Sequence, residues 1–339
     1  MKSAIVGCGT VSWVHAKGIQ QLDSAELVAV ADCKLERAEK MAADYGATPY
    51  ESLEELLEKE HIDVLHICTP HYLHVPMATA ALERGIHVFM EKPPVISWQQ
   101  WDELKAAANK AKETARLGVC FQNRFNSSVQ YVKEQLDQGR YGRILGARGI
   151  VTWRRDEAYY ADSGWRGRLA TEGGGALINQ AIHTLDLIQY LIGEKPTAIR
   201  AVTDNQHLSG RIEVEDTMAA YITYPQATAC FYAATSYAVD VPPLIELECE
   251  RARVRMEDLE VTVWERDEHG RMQRDRKEMT FSRQQCLGKS YWGSSHMRCM
   301  QSFYESAEKG TDFPLELAAV EDTVWLMLQA YDVALQILR

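Results

Sequence analysis

The sequence predicts an α/β protein in two parts, an N-terminal parallel sheet and a C-terminal α/β part with a mainly antiparallel open sheet. Three observations carry this. From residue 3 to about 121, apolar runs of strand length alternate with amphipathic stretches of helix length, the pattern of a parallel sheet with crossover helices. Beyond residue 195, apolar runs succeed one another through short turns, which suits antiparallel pairing. At 339 residues the chain is long enough to bury two separate cores.

In order, the first part predicts strands at 4–7, 26–32, 64–68, 87–90 and 117–121. Helices are predicted at 35–45, 52–58 and 98–114, the last two opening on the capping boxes Ser52-x-x-Glu55 and Ser97-x-x-Gln100. The second part predicts a helix at 127–138, a strand at 144–151, a polar loop, and a helix from about 175 to 191. Strands at 196–203, 217–224, 228–236, 244–250, 253–257 and 261–265 follow, and helices near 295–308 and 315–338 close the chain. This places a parallel-sheet domain at 1–121 and a second domain, with the mainly antiparallel sheet, at 122–339.

The composition is 46% hydrophobic and 25% charged, near the average for globular proteins, and no apolar run is long enough to span a bilayer. A net charge of −11 argues against nucleic acid, whose phosphates demand concentrated positive charge. The cysteines at 8, 33, 68, 120, 230, 249, 286 and 299 contain no CxxC and sit mostly in apolar runs, as reduced structural cysteines do. Gly7 interrupts the N-terminal apolar run before a signal-peptide core forms. The expectation is a cytoplasmic protein with a small-molecule partner, bound to neither nucleic acid nor membrane.

In Ala4-Ile5-Val6-Gly7-Cys8-Gly9-Thr10-Val11-Ser12 a strand runs into a glycine turn and then a helix. Gly7 permits the tight turn, Gly9 lets a pyrophosphate approach the backbone, and Ser12 takes the small-residue slot of the usual third glycine. About twenty residues on, Asp32 ends the second strand, where a carboxylate binds ribose hydroxyls and repels a 2′-phosphate. These features predict a Rossmann domain holding NAD across Gly7, Cys8, Gly9, Thr10 and Val11, with Asp32 on the ribose. Lys34 and Arg37 leave NADP open, since either reaches a 2′-phosphate if Asp32 rotates away.

Thr69 and Pro70 follow the third predicted strand at the carboxyl edge of the sheet, where open α/β sheets bind ligands. His71 and His74 either line the cofactor there or begin a solvent-facing helix. They are not expected to hold a metal, because no carboxylate or cysteine stands nearby at ligand spacing. Glu91 and Lys92 follow the next strand, before Pro93. A cation there stabilises the alkoxide that hydride transfer generates, and Glu91 orients Lys92 or the nicotinamide side. After the run Gly173-Gly174-Gly175, Asn179, His183 and Asp186 stand at i, i+4 and i+7, on one face of the predicted helix. A histidine in that setting suits acid–base work near neutral pH, or is a structural histidine bonded to Asp186. In the preceding loop, Arg154, Arg155, Arg166 and Arg168 are nearly balanced by Asp156, Glu157 and Asp162. Trp165 and Arg166 are its best candidates for a sugar ring and an anionic group, although a solvated, ion-paired loop explains the charges equally well.

The glycine turn, Cys68-Thr69-Pro70-His71-Tyr72-Leu73-His74, Glu91-Lys92-Pro93, and the glycine run with Asn179, His183 and Asp186 occur in the order found in one family. Over essentially its whole length the chain resembles the Gfo/Idh/MocA oxidoreductases, the family of glucose–fructose oxidoreductase and inositol dehydrogenase. The resemblance implies an NAD(P)-dependent oxidoreductase acting on a sugar, sugar nucleotide or polyol, with Lys92 on the alkoxide, His183 as general base, and a homodimeric or homotetrameric assembly. It also implies that Asn123 and Arg124 touch substrate or nicotinamide, although a structural contact at the domain junction explains them equally well. The commonest family pattern has Asp where this chain has Asn179, an amide that cannot ionise. The resemblance admits two alternatives: an NAD-dependent glycoside hydrolase, and a non-catalytic NAD-binding sensor or corepressor.

Overall fold

The computed structural model describes residues 1–267, 269–281 and 295–336; Cys286 and the last residues of the helix expected at 315–338 lie outside them. The chain divides into two compact units. The first comprises Met1–Gln122 and, among the described residues, 295–321; the second comprises the remainder. The expectation of one cut is corrected, because the chain returns to the first unit near its end.

The first unit runs β1 (Lys2–Val6), α1 (Ser12–Gln20), β2 (Glu26–Ala31), α2 (Leu35–Tyr45), β3 (Thr48–Tyr50), α3 (Leu53–Lys59), β4 (Val64–Ile67), α4 (His74–Leu82), β5 (His87–Met90), α5 (Trp98–Ala111) and β6 (Leu117–Val119). All six strands are parallel, in the order β3-β2-β1-β4-β5-β6. The order reverses direction between β1 and β4, which makes their carboxyl ends the crevice where such sheets take ligands. Both predicted caps form: Ser52 accepts from the Glu55 N–H and Ser97 from the Gln100 N–H. β3 is an addition to the expected strands; three residues with Pro49 at a sheet edge carry too little periodicity to read.

The second unit contains α6 (Ser127–Asp137), β7 (Ile144–Thr152), α7 (Glu157–Ala161), α8 (Leu169–Glu172), a π-helical turn at Ala176–Ala181, α9 (Ile182–Ile192), β8 (Ala198–Asp204), β9 (Thr217–Thr223), β10 (Thr228–Ala234), β11 (Leu244–Cys249), β12 (Ala252–Glu257), β13 (Glu260–Arg266) and β14 (Met272–Thr280). With β15 (Leu335–Gln336) these strands form one sheet, ordered β14-β13-β12-β11-β7-β10-β9-β8-β15. Only the β7–β10 and β8–β15 pairs are parallel. β14 went unpredicted because its sequence is highly charged. It pairs with β13 through backbone bonds, supported by the Lys277–Glu265 ion pair, and needs no apolar face.

Two helix expectations are corrected. The helix expected at 175–191 forms, but it opens as a π turn at Ala176–Ala181; its amino-terminal donors, which have no partner within any helix, are capped by Glu215, which accepts from Gly175 and Leu177, and by the Tyr331 hydroxyl, which accepts from Ile178. The last expected helix, α11 (Leu317–Val333), stops before the short strand β15, which pairs with the open edge of β8. Ahead of it, α10 (His296–Lys309) belongs to the first unit and buries Cys299, Met300, Phe303 and Tyr304. Gly18 on α1 makes room for it: a Cβ there would lie 2.5 Å from the Met300 sulfur.

Candidate active site

The glycine turn is built from both sides. Gly7 has φ +87°, and a Cβ on it would lie 2.7 Å from the Cys68 carbonyl carbon at the end of β4, so the position excludes any side chain. Gly9 is the opposite case: a Cβ there would meet nothing within 4 Å. This leaves space directly over the backbone, as a pyrophosphate requires. Ser12 is fully buried and its hydroxyl donates to the Gly9 carbonyl at 2.6 Å, which fixes the turn without the third glycine. No side chain among the described residues caps the amino end of α1 at Val11, so its N–H groups suit an anion.

Asp32 reaches this turn. Its carboxylate accepts from the backbone N–H of Cys8 and of Lys34, each at 2.8 Å, so two bonds hold it at the end of β2. Lys34 and Arg37 are exposed. Across the crevice, the buried Thr69 hydroxyl has no hydrogen-bond partner among the described residues. An orphaned buried hydroxyl at this strand end is what a cofactor hydroxyl or amide would satisfy. With the open space at Gly9, it shows that these residues fit a dinucleotide. Pro70 follows, and a 3-10 turn at His71–Leu73 leads into α4. His71 is 4% exposed and His74 fully buried. His74 contacts the carbonyls of Pro93 at 2.7 Å and Thr69 at 3.0 Å. It therefore ties the two strand-end loops together and does not face solvent.

Lys92 lies just beyond the carboxyl end of β5, half-buried, followed by a cis bond to Pro93. Beside it, Glu91 is buried and 3.0 Å from His15 Nε2. Burial alone would push its carboxyl up, but the hydrogen bond and charge of His15, with His296 and Lys92, bring it well below the ordinary carboxylate range. Glu91 is thus an anion next to Lys92. Behind it runs a buried chain: His15 Nδ1 lies 2.9 Å from His66 Nδ1, His66 Nε2 lies 2.8 Å from the Tyr304 hydroxyl, and that hydroxyl lies 2.6 Å from Ser3 Oγ. Burial and the neighbouring His15 hold His66 neutral. This relay was not legible in the sequence, whose only hint was His15 and His66 in otherwise apolar surroundings. His15, Glu91 and Cys120 also place three donor atoms within 4.8 Å of one another. Burial pushes the Cys120 thiol well above its ordinary range, however, which disfavours the thiolate a metal would bind.

The second unit holds the remaining candidates. Asn123 opens it, and its buried amide oxygen has no partner among the described residues. Arg124 differs from expectation. It is 6% exposed, and its guanidinium donates to both oxygens of Asp186, at 2.9 and 2.5 Å, while Thr323 donates to the same carboxylate. Both side chains are committed to this buried ion pair, so Arg124 is a structural residue here and Asp186 is anchored away from an acid–base role. Residues four apart stay on one face across the π turn and the start of α9, so Asn179 and His183 still share a side. The Arg166 guanidinium stacks over Tyr159 at 4.4 Å and Trp165 at 5.1 Å, and its buried Nε has no partner among the described residues.

Three further buried groups belong to this unit; Glu172 and Glu215 escaped sequence reasoning, and Arg155 was read only as part of the charged loop. Arg155 donates to Gln180, next to Asn179. Glu215 accepts from Gly175, Leu177 and Tyr331. Glu172 accepts from the Asn179 amide and the Gly167 N–H, and burial raises its carboxyl to about 7. The only sequence signal for Glu172 was an acid placed directly before the glycine run.

Residues 1–119 match the oxidoreductase family with an NAD-binding Rossmann fold, and residues 129–255 match the GFO/IDH/MocA C-terminal domain. The chain is 34% identical over 197 residues to D-glucoside 3-dehydrogenase of Escherichia coli, covering 57% of this chain and 54% of that protein. It is 32% identical over 202 residues to scyllo-inositol 2-dehydrogenase (NAD(+)) of Bacillus subtilis, covering 59% and 56%. The chain thus spans little more than half the length of these curated relatives. Among solved structures it resembles the WlbA dehydrogenase of Bordetella pertussis, determined with NADH and UDP-GlcNAcA, with a TM-score of 0.83 and 28% identity over 98% of this chain and 95% of that one.

Proposed function

The chain belongs to the Gfo/Idh/MocA oxidoreductase family, and from that premise we propose that it is an NAD-dependent dehydrogenase of a sugar, sugar nucleotide or polyol. The observation that carries the reading is Lys92, a cation beside the anionic Glu91 at the carboxyl edge of a sheet whose glycine turn leaves room over Gly9. In this reading Gly7, Cys8, Gly9, Thr10 and Val11 bed the pyrophosphate, Asp32 takes the ribose, and Thr69, Pro70 and His71 border the nicotinamide side. The two backbone bonds on Asp32 keep its carboxylate in place, which favours NAD over NADP.

When bound, the nicotinamide accepts a hydride equivalent from the substrate carbon. The rest falls to the chain: Lys92 stabilises the alkoxide, His183 takes the hydroxyl proton, and Asn179, Asn123, Trp165 and Arg166 orient the substrate. Removing a charge that acts only as the alkoxide develops costs on the order of a hundredfold or more in kcat. Lys92→Ala should lose that much while binding NADH nearly as the parent does. The assay is a screen for nicotinamide oxidation or reduction, with NAD and NADP, across sugars, polyols and UDP-sugars. Full turnover in Lys92→Ala removes the assignment, and glycoside cleavage without net cofactor change replaces it with a hydrolase.

Among the described residues no helix is long and apolar enough to cross a membrane. All seven described cysteines are free, which suits a reducing cytoplasm. The sheet of the second unit exposes Val202, Tyr221 and Cys230 on one face, while Ile199, Met218, Ile222 and Phe231 are buried on the other. An exposed face of this kind suits cover by a second copy of the chain, as in a homo-oligomer.

A further inference from the structure

Glu172 ends α8 and is 1% exposed. Each of its oxygens has its own donor: Oε1 accepts from Asn179 Nδ2 at 2.5 Å and Oε2 from the Gly167 N–H at 2.5 Å. Gly167 directly follows Arg166, so this one carboxylate ties the loop of Trp165 and Arg166 to the π turn of Asn179. Local geometry allows no easy alternative. Gly167 and Gly173 both have positive φ, +78° and +84°, and a Cβ on Gly167 would lie 2.8 Å from Ile212. An asparagine amide has two ends of nearly equal shape and opposite hydrogen-bonding sense, and only its NH₂ end can face a carboxylate. Glu172 therefore decides which way round Asn179 stands.

We propose that Glu172 is a positioning residue that turns the amide oxygen of Asn179 toward a substrate hydroxyl and holds the Trp165–Arg166 loop in the same arrangement. This rests on the dehydrogenase reading above. It also gives the ionisable carboxylate that Asn179 lacks a place directly behind it. The groups facing Glu172 are Arg166 from its own loop, Glu215 from the segment before β9, Tyr160 from α7 and Tyr331 from α11. Burial and Glu215 favour its neutral form, while the Gly167 N–H, Asn179 and Arg166 favour its anion; burial prevails and the carboxyl rises to about 7. Protonation places a hydrogen on one of two oxygens that both face donors, so as the pH falls through that value the bond at that oxygen weakens or, on the Asn179 side, reverses with the amide.

The test follows the Asn179 side-chain amide in ¹⁵N-labelled full-length protein with NAD added, its signals identified by their loss in Asn179→Asp. From about pH 5.5 to about 8.5 these signals should shift with a midpoint near the raised carboxyl value, and the shift should vanish in Glu172→Gln. With a compound that is turned over, the acid limb of kcat/KM should move away from neutral pH in Glu172→Gln. KM for the substrate should rise severalfold while NADH affinity, read by fluorescence, stays unchanged. A wild-type amide indifferent to pH, or a Glu172→Gln enzyme with the parent's pH profile and KM, overturns the proposal. If no compound is turned over and the amide still titrates, the dehydrogenase reading fails and the link from Glu172 to Asn179 is upheld.

Discussion

Arg124 and Asp186 stand 62 residues apart in sequence, and neither carries a local mark of the other. An arginine next to an asparagine after the last strand of a Rossmann sheet reads as a ligand residue, and only burial shows that its charge is already spent. Removing one partner of such a pair leaves an uncompensated buried charge, which costs about 3–5 kcal/mol. Arg124→Ala should therefore lower stability by that amount in urea unfolding, whereas a merely ligand-facing arginine would leave the midpoint unchanged. Glu91 shows the same limit from the other side. Its place beside Lys92 was legible, but the anion it maintains depends on His15, and His15 depends on His66 and Tyr304. Spacing reveals which residues could carry charge; it does not reveal which ones are relieved of it.

At the scale of elements, the strand–turn–helix at the amino end was the most legible part of the chain. Its signals are local: a strand period, two glycines at fixed spacing, and a carboxylate one crossover later. The structure separates the two glycines by their surroundings, and each makes its own prediction. Gly7→Ala forces a side chain into a positive-φ position and against the Cys68 backbone, which should destabilise the protein by about 1–3 kcal/mol. Gly9→Ala meets nothing in the protein, so it should fold and melt like the parent yet bind NADH more weakly by fluorescence titration. Unchanged NADH affinity in Gly9→Ala would mean that the pyrophosphate lies elsewhere. The π turn that opens the helix after the glycine run was not legible, because the periodicity is continuous in sequence. Its amino end is capped by Glu215, a carboxylate from another segment that accepts from the backbone N–H groups of Gly175 and Leu177.

For the whole molecule, the face of the second sheet that shows Val202 and Tyr221 sets an expectation about assembly. Light scattering at micromolar concentration should give a mass that is a multiple of 38.4 kDa, and Tyr221→Glu, which places a charge on that face, should reduce it. A wild-type mass of one chain would show that the face needs no partner. The sequence by itself determined the two-part α/β architecture, the dinucleotide turn, and Lys92 at a strand end. Each of these is written in periodicity or in spacing within one or two elements, where backbone geometry follows from local sterics and hydrogen bonding. Tertiary structure alone decided that residues 295–321 return to the first unit, that Arg124 belongs to Asp186, and that Glu172 stands behind Asn179. Those outcomes depend on which groups lose water together and which partner then satisfies them. That choice is made between residues distant along the chain, and no local pattern encodes it.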